Sequence, residues 1–196
     1  MRFFHQVITL AVAGLLAGLL AQPPLDALAH EPVEADTSLA ATVTLKAASP
    51  TVAGCAAVRV EIWVNDVANL YAADVHVLFD PALLQVVDAD AAAPGTQIEP
   101  VYSFLNPGFI IKRVACNAAD PGNPDCPVGG KVWYSATQLN PTPPANGSGP
   151  IAAFTLVGRA EGLSTLDISY QKLSSPTGQE VPASGADSSI AVTPPA

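Results

Sequence analysis

Residues 58–88 read VRVEIWVNDVANLYAADVHVLFDPALLQVVD, and this stretch decides the fold. Apolar side chains alternate with mostly polar ones over 58–64 and again over 73–79, which is the period of two of a strand with one buried face. Asn65, Asp66 and Asn69 supply turn chemistry between the two alternations. The second strand ends at Asp80-Pro81, because proline lacks the N–H that a sheet ladder needs, and extended structure resumes after it. The stretch therefore predicts three successive strands joined by turns.

The rest of the chain repeats this pattern of short strands separated by Gly and Pro turns. The predicted strands cover 41–47, 57–64, 72–79, 83–89, 97–102, 109–115, 131–139, 151–159, 164–173 and 188–192. With no convincing helix, they predict an all-β fold, a two-sheet jelly-roll β-sandwich of about nine strands. The predicted core contains Val60, Ile62, Val75, Val77, Phe79, Leu84, Phe154, Leu156, Leu166 and Ile168. The stiff, polar segment 140–147 is interpreted as a surface loop.

Four motifs in a fixed order carry a family resemblance. The first is the strand, turn and strand that ends in Phe79-Asp80-Pro81. It is followed by WYSATQL at 133–139, GSGPIAAFTL at 147–156 and EGLSTL at 161–166. Together they resemble the cohesin family of extracellular modules, and the resemblance runs from about residue 39 to residue 192. It implies a sandwich that binds a partner without catalysing a reaction, the partner of cohesins being the dockerin module.

The resemblance also implies where a partner would bind. Cohesins hold a dockerin helix pair on one flat sheet face, and the strand ending in Phe79-Asp80-Pro81 contributes to it. The matching outward positions are Asp74, His76 and Leu78, with Asp74 in the place of the family's acidic contact. The chain departs from the family's contacts at Ala72, Ala136 and Leu139. The resulting hypothesis is a module that recruits a dockerin-bearing or other extracellular protein in polysaccharide-degrading or cell-surface assemblies.

A carbohydrate-binding sandwich is the alternative function, because the cohesin fold is related to that class. Such modules stack the apolar faces of sugars on coplanar aromatic rings. The candidate rings are Trp63, Tyr71, Tyr102, Trp133, Tyr134 and Tyr170. Aromatic residues make up only 6% of the chain, and most of these six lie in strand patterns that could bury them. Protein recognition is therefore the favoured interpretation.

Composition sets independent limits on size and partners. A chain of 196 residues is expected to form one domain, and its 49% hydrophobic content is ample for a core. The formal net charge of -9 would repel nucleic acid phosphates and anionic lipid headgroups. A nucleic acid partner is therefore not expected.

The N-terminus has the features of an export signal. Arg2 supplies positive charge, residues 7–21 form an apolar run, and Ala27-Leu28-Ala29 is a small-x-small cleavage pattern. The run is shorter than the roughly 18 to 20 residues that span a bilayer, so an uncleaved anchor is the less favoured alternative. We expect a signal peptide at 1–29, a flexible acidic leader at 30–38 and the cohesin-like domain at 39–196. The mature protein would be secreted or held at the cell surface without a membrane span.

The three cysteines fit an oxidising compartment. Cys116 and Cys126 bracket a loop so rich in turn-forming residues that its ends must approach each other, and this predicts a disulfide between them. Cys55 is interpreted as a small buried thiol, with intermolecular pairing as the alternative. The resemblance implies that cohesins connect the strands on either side of residues 116–130 by a shorter turn. This segment is therefore expected to be an insertion.

Motifs for catalysis and for cofactors are missing from the sequence. No Gly-x-Ser-x-Gly elbow, phosphate-binding glycine loop or zinc-type cysteine spacing is present, and we expect neither an enzyme nor a bound cofactor. A copper site on an N-terminal His30 and His76 is a weak alternative. Asp120, Asn123 and Asp125 offer oxygen ligands for calcium, but they match no EF-hand pattern and turn chemistry explains them. No metal site is therefore predicted.

Overall fold

The computed structural model describes residues 40–195, so the predicted signal peptide and the whole predicted leader, including His30, lie outside the described residues. The described chain forms fourteen strands and no helix. Their bounds are β1 Ala41–Ala47, β2 Thr51–Ala53, β3 Ala57–Leu70, β4 Ala72–Leu78, β5 Leu84–Val87, β6 Thr96–Gln97, β7 Glu99–Pro100, β8 Phe109–Cys116, β9 Lys131–Thr137, β10 Ala145–Gly158, β11 Gly162–Ser174, β12 Glu180–Val181, β13 Ala183–Ala186 and β14 Ser188–Thr193.

The strands form two sheets. The smaller sheet has the order β13-β1-β3-β10-β5, with β7 also paired to β10. The larger sheet has the order β2-β14-β11-β4-β9-β8-β6, with β12 also paired to β11. The central pairs β1/β3, β3/β10, β4/β9 and β8/β9 are antiparallel, whereas β13 on β1 and β2 on β14 are parallel. The predicted two-sheet β-sandwich is confirmed.

Alternate side chains of both sheets meet in one core. In β4 the pattern is strict, with Ala73, Val75 and Val77 buried and the residues between them half-buried. All ten predicted core residues are buried, and Val60, Ile62, Val75, Val77, Leu84, Leu156 and Leu166 are fully inaccessible. Burying an aliphatic side chain of this size contributes about 1.5–3 kcal/mol, so the alternating positions hold the sheets together.

The predicted turn after residue 64 does not end the strand. β3 continues to Leu70, because Asp66 and Asn69 adopt positive φ angles of 53° and 65° and let the ladder bend without breaking. Side chains of the opposing strand supply the missing acceptors: the Asp66 N–H donates to Ser148 Oγ and the Asn69 N–H to Asn146 Oδ1. Part of the predicted surface loop therefore belongs to β10, which begins at residue 145.

Two further predictions differ from the structure in their details. The predicted strand 97–102 is two short strands, because β6 pairs with β8 in the larger sheet and β7 with β10 in the smaller one. The short strands β2, β12 and β13 were not predicted, since two to four residues give no readable period. In the segment predicted as a surface loop, the peptide bond between Asn140 and Pro141 is cis.

Cys55 is exposed, so the prediction of a buried thiol is wrong. The residue lies in a tight turn between β2 and β3 with a φ of 65°, and its N–H donates to the carbonyl oxygen of Gly158. The prediction extended the alternation of the neighbouring strand to Cys55. A residue in the left-handed conformation does not follow that alternation, so its side chain points to solvent instead.

Candidate functional site

Four adjacent strands of the larger sheet present one continuous face to solvent. We call this the outer face and define it by the outward residues of β11, β4, β9 and β8. The registers align Lys172, Asp74, Ser135 and Lys112 in one row, and Tyr170, His76, Trp133 and Val114 in the next. Strand pairing thus brings residues as far apart in the sequence as Asp74 and Lys172 into one array.

An aromatic cluster occupies the centre of the outer face. The His76 ring lies between those of Trp133 and Tyr170, with centroid distances of 4.8 Å and 4.9 Å. The Trp133 contact is edge to face, at an interplanar angle of 64°, and the Tyr170 contact is tilted at 41°. Cross-strand aromatic contacts of this kind hold their rings in place. The three rings therefore form one packed aromatic cluster on the outer face.

Asp74 connects the aromatic cluster to the neighbouring row of Lys172, Ser135 and Lys112. Its Oδ1 accepts a hydrogen bond of 2.8 Å from Trp133 Nε1, and His76 Nε2 lies 3.4 Å from the same oxygen. The His76 contact lacks hydrogen-bond geometry, and Nε2 is buried without a partner among the described residues. Burial lowers the pKa of His76, the positive charge of Lys131 lowers it further, and Asp74 opposes both effects. His76 is therefore neutral at neutral pH.

The disulfide loop covers one corner of the outer face. Cys116 and Cys126 are bonded with a Cα–Cα distance of 5.3 Å, which confirms the predicted disulfide. Within this loop Asp125 forms an ion pair with Lys112, and its carbonyl oxygen lies 3.4 Å from Lys131 Nζ. Both ammonium groups in turn lie over the Trp133 ring, at 5.3 Å and 4.5 Å from its centroid.

An apolar corner lies at the opposite end of the same strands. Phe109, Ile111 and Leu139 are 58%, 51% and 52% exposed. Phe109 neighbours Thr137 in the ladder, and Ile111 occupies a bulge between paired residues of β8 and β9. Leu139 packs over Gly108, where an added Cβ would come within 2.6 Å of the leucine Cγ. These three side chains form a second exposed apolar group, separate from the aromatic cluster.

The three predicted site residues all lie on the outer face. The side chains of Asp74 and His76 are 34% and 23% exposed, and Leu78 is half-buried beside Lys131. Ala136 lies in the core instead, because it is in register with buried Ala73, and so it offers no contact to a partner. The sequence did not indicate that Trp133 and Tyr170 adjoin His76. Only the registers of β9 and β11 against β4 could have revealed it.

The aromatic residues proposed for sugar binding are divided between the core and different surfaces, and of the six only Trp133 and Tyr170 belong to the cluster on the outer face. Tyr134 is buried in the core, whereas Tyr102 and Tyr170 are exposed. Trp63 lies on the smaller sheet, where Lys46 Nζ is 3.3 Å from the ring centroid and Nε1 donates to Glu61. Because a lysine ammonium group lies over each tryptophan ring, a sugar would have to compete with that cation for the ring face.

The loop residues considered for calcium serve as turn caps. Asp120 Oδ1 accepts from the Gly122 N–H and Asn123 Oδ1 from the Asp125 N–H, each at 3.0 Å. Within residues 40–195, no group of three or more His, Cys, Asp or Glu side chains is arranged to hold a metal ion. The same residues contain no helix that could cross a membrane.

Comparison with solved structures identifies the fold. No protein-family model matches the sequence, and no curated protein matches it. A type II cohesin domain from the cellulosome of Acetivibrio cellulolyticus is similar with a TM-score of 0.59 at 17% identity, over 77% of this chain and 95% of that one. The chain has the cohesin fold.

Other cohesins agree with this assignment. The non-cellulosomal cohesin from the archaeon Archaeoglobus fulgidus has a TM-score of 0.57 at 10% identity, over 79% of this chain and 91% of its own. The sixth cohesin of Acetivibrio cellulolyticus scaffoldin B, solved in complex with a mutant Cel5 dockerin, has a TM-score of 0.54 at 14% identity, over 79% and 99%. The cohesin fold thus spans nearly all of the described residues.

Proposed function

We propose that this chain is an exported, non-catalytic module that recruits a dockerin-like protein partner through its outer face. The observation that carries the proposal is the aromatic cluster of His76, Trp133 and Tyr170, joined to Asp74 on the outer sheet face of a cohesin fold. One structurally similar cohesin is solved with a dockerin bound. Large, fixed aromatic side chains beside a hydrogen-bonding carboxylate are typical of the residues that dominate protein interfaces.

Export is part of the proposal and rests on two separate features. Residues 1–29 have the composition of a cleaved signal peptide. The Cys116–Cys126 disulfide fits an oxidising compartment, since thiols in the cytosol are kept reduced. The role would be to hold the partner within a secreted or cell-surface assembly, including one that degrades polysaccharides.

Affinity capture tests the proposal. The chain from His30 onward is immobilised and exposed to the secretome of the producing organism with and without calcium, because in cohesin pairs the calcium belongs to the dockerin. We expect calcium-dependent capture of one protein. The double variant Asp74→Ala, Tyr170→Ser should weaken its binding by about tenfold or more.

The control variant is Val87→Ser, which removes an exposed apolar side chain from the smaller sheet, 44% accessible in the wild type. It should bind as the wild type does. Capture of no protein, combined with retention on insoluble glycans, would contradict the proposal and favour the carbohydrate-binding alternative.

A further inference from the structure

The disulfide loop has no apolar anchor of its own. Residues 117–125 are exposed or half-buried, and Val128 is 49% exposed. None of the residues 117–130 belongs to the hydrophobic core. Apart from the disulfide, the loop is attached by the Lys112–Asp125 ion pair, by Lys131 Nζ at the Asp125 carbonyl oxygen, and by hydrogen bonds of Asn117 and Gly130 to neighbouring strands.

The disulfide is therefore the main constraint on the position of the loop. The side chains of Lys112 and Asp125 are 31% and 25% exposed, and ion pairs open to solvent stabilise little. Covalent closure between Cys116 and Cys126 instead removes most of the conformational freedom of the intervening residues. The bond keeps Asp125 close to both lysines.

The held loop changes what the outer face offers to a partner. Lys131 is only 9% exposed, since its ammonium group lies between the Asp125 carbonyl oxygen and the Trp133 ring. On the other side of the cluster, Tyr170 is 42% exposed. Asp74 makes no hydrogen bond through Oδ2 to any described residue. The end of β8 and β9 next to the loop is therefore covered, whereas the Tyr170 side and the apolar corner at Phe109, Ile111 and Leu139 are open.

We propose that the Cys116–Cys126 loop is a rim of the docking face that keeps the partner away from the Lys131 end of β8 and β9 and confines it to β4, β11 and the opposite end of the face. The occupant is an amphipathic helix of the partner, with an apolar stripe against Tyr170 and a hydrogen-bond donor or cation at Asp74. This inference rests on the proposed function and adds that the disulfide loop selects among partners. Trp133 supports the cluster from beneath the rim and is not a primary contact.

The first experiment measures whether the disulfide keeps Trp133 covered. The chain contains two tryptophans, so Trp63→Phe leaves Trp133 as the only one. We expect acrylamide to quench Trp133 about twofold more strongly after Cys116→Ser and Cys126→Ser are added, because the loop no longer holds both lysines over the ring. Asp125→Ala, which retains the disulfide, should give a smaller increase.

Circular dichroism and thermal unfolding establish that each of these variants is folded. Equal quenching in the disulfide-bonded and serine forms would overturn the proposal, because the loop would then hold its position without the bond.

The second experiment selects binders from a displayed library of helical hairpins. Hairpins selected on the wild type should lose binding in Asp74→Ala and Tyr170→Ser but not in Val87→Ser. Hairpins selected on the double serine variant should include members that require Trp133 and bind the wild type at least about tenfold more weakly.

The outcomes separate the two proposals. Hairpins from the serine variant that all bind the wild type equally would overturn the rim and leave the proposed function intact. Selection of no hairpin that depends on Asp74 or Tyr170 would count against both.

Discussion

Tyr134 is fully buried in the core, yet its hydroxyl group has no hydrogen-bond partner among the described residues. Burial raises the pKa of this phenol, and nearby Tyr102 raises it further. A buried polar group without a partner costs about 1–3 kcal/mol. At this position tyrosine is therefore expected to be less favourable for stability than phenylalanine.

We predict that Tyr134→Phe leaves the free energy of unfolding unchanged or raises it by up to about 1–3 kcal/mol, because the ring stays and the unpaired hydroxyl is removed. Tyr134→Ala should lower it by about 3–5 kcal/mol through the cavity that it leaves. Urea denaturation measures both. A clear loss of stability in the phenylalanine variant would mean that the hydroxyl is hydrogen-bonded in solution.

His76 couples the outer face to pH. Its pKa in the folded protein is lowered from 6.5, mainly by burial and then by Lys131, so below pH 6.5 the unfolded chain binds more protons than the folded one. The neutral ring thus contributes stability that is present above pH 6.5 and is lost as the pH falls through the lowered pKa. Asp74, Trp133, Tyr170 and Lys131 surround the ring.

We predict that His76→Gln makes the free energy of unfolding less dependent on pH between about pH 7 and pH 5.5. Urea denaturation at several pH values in this interval measures the slope for the wild type and the variant. Above about pH 8 the imidazole is neutral in both states, so the two proteins should there show parallel profiles. Identical slopes over the whole interval would refute the assignment.

At the scale of the element, β5 shows how an edge strand of the smaller sheet is protected. The Asn117 amide donates through Nδ2 to the Val86 carbonyl oxygen at 2.9 Å, and its Oδ1 accepts from the Val86 N–H at 2.8 Å. One side chain thus satisfies both backbone groups that a further strand would pair. Unpaired edges promote association between chains, so Asn117 limits pairing at this edge.

We predict that Asn117→Ala lowers the free energy of unfolding by about 1–3 kcal/mol, because the N–H and C=O of Val86 lose their partners. It should also increase concentration-dependent association through the uncovered edge. Thermal unfolding and light scattering measure the two effects. Asn123→Ala is the control, since Asn123 caps a turn in the same loop and contacts no sheet edge.

The elements that the sequence predicted well are those in which local alternation coincides with burial. The pattern of 72–79 gave β4 to within a residue, and it placed Asp74, His76 and Leu78 outward. The pattern failed at Asn65–Asn69, where side chains 77 and 82 residues away let the strand continue past turn-forming residues. Local sequence does not encode such partners. For the same reason, the neighbours of His76 on β9 and β11 required the register of the sheet.

At the scale of the whole molecule, the cysteines connect the fold to its route of synthesis. The chain has three cysteines: Cys116 and Cys126 are bonded, and Cys55 is exposed with a free thiol. A native protein that has passed through an oxidising compartment should retain this arrangement.

We predict that the exported protein begins at His30 and has about one thiol that reacts with a colorimetric reagent, rising to about three after reduction and denaturation. N-terminal sequencing and thiol titration measure these quantities. An intact residue 1–29 segment in the membrane fraction would support the uncleaved anchor. A dimer that disappears on reduction would show that Cys55 pairs between chains.

The outer face differs electrically from the rest of the molecule. Lys112, Lys131 and Lys172 stand there with Asp74, Asp125 and Asp167, whereas the full chain has a formal net charge of -9. A balanced patch of this kind has a field that cancels within a Debye length, about 8 Å at physiological ionic strength. The patch itself therefore adds little long-range steering, and beyond that distance an approaching molecule experiences mainly the net negative charge of the chain. Competing ligands would then be distinguished at the patch by their dissociation rates more than by their association rates.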